Sequence, residues 1–70
     1  MPSHLQVVVG RKLREHRTRL GLSQERLADD LGFHRTYLGS VERGERNLTL
    51  ASVEQLAARL GVDPLDLLHD

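Results

Sequence analysis

Seventy residues without a cysteine, 39% hydrophobic but only 3% aromatic, describe one small domain near the lower size limit for a self-sufficient core. They exclude disulfide staples, thiolate metal sites and cysteine nucleophiles, and they fit a reducing compartment. Ten Lys and Arg balance ten Asp and Glu, which taken as an average argues against a polyanionic partner. The balance is uneven, however: residues 1–49 carry nine basic side chains against six acidic, a net of +3, and residues 50–70 carry one against four, a net of −3.

The longest apolar run near the start, Val7 to Val9, is too short for a membrane span or signal core, so a soluble, unprocessed, cytoplasmic chain is expected. Its β-branched residues leave its own state ambiguous, but everywhere else the apolar spacing is helical. Val9, Leu13, His16 or Arg17, and Leu20 recur every three to four residues until Gly21, predicting a first helix over about 6–20. Ser23 then caps a second over 24–31, closed by Gly32, and His34 caps a third over 35–43, closed by Gly44. Thr49 caps a fourth over 50–60, closed by Gly61, and Asp63 caps a fifth over 64–69, with Pro64 at its first position. Each of these four starts is bracketed by an apolar pair: Leu22 with Leu27, Phe33 with Leu38, Leu48 with Val53, and Val62 with Leu67. Four hydrophobic staples in register make an all-α, five-helix domain over 1–70, without linker or internal repeat. The expected core is Val9, Leu13, Leu20, Leu27, Ala28, Leu31, Leu38, Val41, Val53, Leu56, Ala57, Leu60 and Leu67.

Helices two and three are joined by the short "LGFH" connection, in which Gly32 can take the left-handed conformation of a sharp turn. Ala28 is small where two such helices would cross, and the layout is that of a helix-turn-helix. In helix three, Leu38 and Val41 turn inward, so the outward stripe is Arg35, Thr36, Gly39, Ser40 and Arg43. Glycine in a helix interior costs about 1 kcal/mol relative to alanine, so a purely solvated face would not select it. Arg35 and Thr36 can donate to base edges near the helix start, while Gly39 and Ser40 keep the centre thin enough to enter a major groove. Arg11, Lys12, Arg14 and Arg19 read as a solvated basic flank that adds salt-sensitive attraction to phosphate. The histidines, at 4, 16, 34 and 69, are too scattered for a helical metal pair. No HExxH, nucleophile elbow or Walker loop is present, so neither catalysis, metal nor cofactor is expected.

"LGLSQERLADDLGFHRTYLGSVERGERNLTL", with its LSQ-x-x-LA opening and RTYL-x-x-VERG continuation, resembles the XRE-type helix-turn-helix family of phage repressors and Cro. The resemblance covers about residues 11 to 68. Within the family it is most similar to the small controller proteins of restriction–modification systems. It implies a phage-repressor-like fold in which Arg35, Thr36 and Ser40 face bases and Arg46 reaches one. It further implies backbone roles for Gln24, Tyr37, Arg43, Asn47 and Ser52, with Gln24 also bracing the recognition helix, and a pairing of Arg17 with Glu42. An exposed pair of that kind would be worth at most about 1 kcal/mol. His34 departs from the Ser or Asp more common at that cap, which implies a looser turn or a direct contact of His34 with DNA.

The expectation is a homodimeric, sequence-specific transcriptional regulator that sets two third helices on an inverted-repeat operator of double-stranded DNA. Dimerisation is assigned to Val62, Leu65 and Leu68, which remain once Leu67 is committed to the core. With the chain ending at Asp70, no ligand-sensing domain or small-molecule ligand is expected. The competing reading keeps the fold as a protein-interaction module, such as an antitoxin whose acidic helices four and five bind a partner protein.

Overall fold

The computed structural model describes residues 3–69. Five helices follow in order: α1 (His4–Arg19), α2 (Gln24–Leu31), α3 (Arg35–Glu42), α4 (Leu50–Leu60) and α5 (Pro64–Leu68). No strand occurs among the described residues, so the valine run is helical. It starts two residues earlier than the apolar spacing predicts because Ser3 and Gln6 form a capping box. The Ser3 hydroxyl accepts from the Gln6 amide at 3.2 Å and the Gln6 carboxamide oxygen accepts from the Ser3 amide at 2.6 Å. The α3 and α5 helices end one residue short of expectation, with Arg43 and His69 as their C-terminal caps.

The remaining starts are capped by the residues the sequence nominates. Ser23, Thr49 and Asp63 accept from backbone amides of Arg26, Ser52 and Leu65. His34 caps with its imidazole, Nδ1 accepting from the Thr36 amide at 3.1 Å. The departure at this position therefore leaves the turn closed. Between α2 and α3, Gly32 takes φ +75°, where an L side chain would strain the backbone. The Phe33 amide then reaches back to the Ala28 carbonyl at 2.9 Å and reverses the chain.

The core contains Val9, Leu13, Leu27, Ala28, Leu31, Leu38, Val41, Val53, Leu56, Ala57 and Leu67. Leu22, Phe33, Leu48 and Val62, the outer halves of the four staples, pack against it. Two expectations need correction. Leu20 is 61% exposed, because α1 ends before it and it caps the helix with nothing lying over it. Leu60 is half-buried at the core margin. Val8, absent from the expected core, is buried.

The α1 helix packs on α3 and α5, α2 on α3, and α4 on α5. The first of these approaches is unusually close. A Cβ at Gly10 would overlap the Val41 carbonyl oxygen and lie 2.8 Å from that of Glu42, so glycine is what lets α1 rest on the end of α3.

Candidate nucleic-acid interface

With α1 and α2 holding it from behind, α3 presents one side outward. Arg35 and Thr36 are exposed at its N-terminal end, and Ser40 is half-buried one turn on. The Ser40 hydroxyl donates to the Tyr37 carbonyl at 2.7 Å. Its proton is thereby committed and its lone pairs are offered as acceptors. Arg35 lies 3.4 Å from Glu25 on α2, both side chains exposed. Such a pair releases cheaply, leaving five N–H donors for another acceptor.

Gly39 lies on this stripe but is buried, a correction to its expected place on an open edge. A Cβ there would stand 3.2 Å from an Arg43 Nη and 3.5 Å from the Gln24 carboxamide oxygen. The two long side chains close over the glycine, and the missing Cβ serves helix packing as well as thinness.

Behind this edge lies a buried ionic cluster. Arg17 Nε donates to Glu42 Oε2 at 2.7 Å, its Nη2 to Oε1 at 3.1 Å, and its Nη1 to the Leu22 carbonyl at 2.9 Å. Gln24 adds a bond from Nε2 to Glu42 Oε1 at 3.2 Å. The Glu42 side chain is 3% exposed and that of Arg17 14%. The forked, bidentate geometry satisfies both ions and joins α1, the α2 entry and the end of α3 into one unit.

The loop after α3 carries the other nominated residues. The Arg46 guanidinium lies 4.9 Å above the Tyr37 ring, which itself packs 5.3 Å from Phe33. Gln6 ties this loop to α1 by donating to the Arg46 carbonyl at 2.7 Å. Arg43 pairs with Glu45 at 2.9 Å, both exposed. Asn47 is exposed, and Ser52, in the first turn of α4, shares a hydroxyl hydrogen bond of 2.9 Å with the cap Thr49. Thus Arg17, Gln24, Glu42, Gly39 and Arg43 come together, as do Tyr37 and Arg46, while Asn47 and Ser52 stand apart in the loop and at the α4 start.

In the acidic segment of the chain, Leu65 is 68% exposed whereas Val62 and Leu68 are half-buried against the core. Leu50, overlooked in the sequence, is 76% exposed. It lines with Val53, Pro64, Leu65 and Leu68 a groove of about 310 Å³ between α4 and α5, bordered by Glu54 and Asp63. The signal for Leu50 was its place beside the cap Thr49 on the outer side of α4. Sequence reading also missed Arg59, whose guanidinium sits 4.5 Å over Phe33 and donates to the Leu31 carbonyl at the end of α2. Among the described residues no helix is long and apolar enough to cross a membrane.

Comparison with known proteins agrees with this architecture. The helix-turn-helix (HTH_3) family profile matches residues 13–67. Control protein C.BamHI of Bacillus amyloliquefaciens is 41% identical over 69 residues, covering 97% of this chain and 85% of its own. The crystal structure of the restriction–modification controller protein C.AhdI from Aeromonas hydrophila is 48% identical with a TM-score of 0.74, over 89% of this chain and 94% of that one. A tetramer of the restriction–modification controller protein C.Esp1396I, crystallised with its natural 35 base-pair operator, is 34% identical with a TM-score of 0.77, over 93% and 86% of the two chains.

Proposed function

This chain belongs to the helix-turn-helix (HTH_3, XRE-type) family, and on that premise we propose that it is a cytoplasmic, sequence-specific DNA-binding regulator of transcription of the restriction–modification controller type. The observation that carries the reading is the outward edge of α3, with Arg35, Thr36 and Ser40 on a helix whose last residue is anchored by the Arg17–Glu42–Gln24 cluster. In the major groove, Arg35 suits a bidentate contact to guanine O6 and N7, Thr36 a single hydrogen bond, and Ser40 a base amino group. Arg46, held over Tyr37, reaches a base at the groove margin. Gln24, Tyr37, Arg43, Asn47 and Ser52 contact backbone phosphates, which fix register without reading sequence. The operator bound by C.Esp1396I in its crystal structure supports the same use of the fold here.

The regulator acts as a homodimer. Leu50, Leu65 and Leu68 line one apolar groove in the acidic part of the chain, and with Val62 they form the dimer contact. An isologous contact between two such surfaces sets the α3 helices on inverted half-sites about one helical turn apart. Selecting bound duplexes from a random-sequence pool tests this. An inverted repeat with that spacing is expected. Salt-dependent binding with no preferred sequence would favour the protein-interaction module.

A further inference from the structure

A second positively charged feature lies beside α3. A groove of about 250 Å³ runs between α1 and the end of α3, lined by Val7, Arg11, Arg14, Glu42, Arg43 and Gly44. Its acidic lining residue, Glu42, already accepts from Arg17 and Gln24 and is almost wholly buried. The groove's potential is therefore set by its arginines. Arg43 faces Glu45 and Arg11 faces Glu15 in exposed pairs at 2.9 and 3.9 Å, which exchange readily for a better acceptor. The Arg14 guanidinium has no ion-pair partner among the described residues. Arg14 is one turn before Arg17, the residue that ties α1 to α3, so it shares the α1 side that meets the recognition helix. Arg43 caps the C-terminal end of α3, and the groove thus runs from the end of the recognition helix onto α1.

Building on the DNA-binding reading above, we propose that Arg14 and Arg43 together hold a backbone phosphate beside the half-site, so that α1 is part of the DNA-contacting surface. Arg14 and Arg43 both line this groove, two guanidinium groups can supply the N–H donors that the oxygens of a phosphodiester accept, and each phosphate neutralised releases condensed counterion.

The test uses the full chain, the tightest duplex enriched from the random pool, and the variants Arg14→Gln and Arg19→Gln. Arg19, expected from the sequence to share the phosphate-attracting flank, instead lines a different groove of α1 with Lys12, His16, Asp66 and His69. Its substitution makes the same charge change outside the groove of Arg14 and Arg43. Affinity is measured from low to moderate salt. Arg14→Gln is expected to flatten the slope of log K against log salt by up to about 2 per dimer, because Arg43 keeps its part of the one shared phosphate in each subunit, with the preferred sequence unchanged. Arg19→Gln is expected to keep the original slope. An unchanged slope for Arg14→Gln, or equal flattening by both variants, would overturn the proposal. So would an effect of Arg14→Gln confined to cooperative filling of two adjacent repeats, which would place the acidic end of a neighbouring dimer in the groove. Binding with no sequence preference whose slope still responds to Arg14→Gln alone would defeat the base-reading function but not this contact.

Discussion

Arg17 and Glu42 show how burial changes the worth of a residue pair. Exposed, they would contribute at most about 1 kcal/mol; with Glu42 only 3% exposed, removing its partner strands a carboxylate with Gln24 as its remaining side-chain donor. Arg17→Ala is therefore expected to cost about 3 kcal/mol in urea unfolding, near the lower end for a broken buried pair. A loss below about 1 kcal/mol would mean that water replaces the arginine. Gly10 poses a contest of two effects. Alanine gains about 1 kcal/mol of helix propensity, but its Cβ would overlap main-chain oxygens of Val41 and Glu42, which cannot swing aside. Overpacking wins, and Gly10→Ala is expected to lower stability by about 1–3 kcal/mol net. Gly39→Ala meets only the movable ends of Arg43 and Gln24. It should leave stability unchanged or raised by up to about 1 kcal/mol while weakening DNA binding, a separation that parallel melting and titration would reveal.

At the scale of elements, the turn between α2 and α3 is held from three sides. Gly32 supplies the backbone angle, His34 caps α3, and Arg59 on α4 covers Phe33 and donates to the last carbonyl of α2. Losing a donor to a half-buried carbonyl together with a cation–π contact puts the expected cost of Arg59→Ala at about 2 kcal/mol. Chemical denaturation measures it, and a neutral result would show that α4 does not support the turn. The helix starts and stops were legible in the sequence because caps and staples are local chemistry, carried by residues within one turn of each other. Even the early start of α1 was written there as Ser3 and Gln6. Leu20 was misjudged because periodicity gives the direction of a side chain but not whether another element reaches it. Arg59 and Gln6 act across 28 and 40 residues, and no spacing rule could have shown those contacts. In the candidate site, the stripe Arg35, Thr36 and Ser40 followed from helical geometry. The burial of Gly39 beneath Gln24 and Arg43 depended on how α2 docks and was invisible beforehand.

On the scale of the whole molecule, charge is divided along the chain. The basic residues gather in the first 49 positions, and the exposed Leu50 and Leu65 lie in the acidic remainder. Glu54 and Asp63 border the apolar groove, so the proposed dimer contact would bring like charges together. Added salt should strengthen the dimer while it weakens DNA binding. Leu65→Glu places a further charge on that surface. It is expected to yield a folded monomer by sedimentation, and to bind the full repeat no better than an isolated half-site.

Base reading as proposed requires α3 to lie in the major groove, and dimethyl sulfate protection reads the groove directly. On the enriched duplex, guanine N7 positions should be shielded in both half-sites, about one helical turn apart, and Arg35→Ala should restore their reactivity. Protection confined to adenine N3 in the minor groove, or guanine protection that survives Arg35→Ala unchanged, would contradict it.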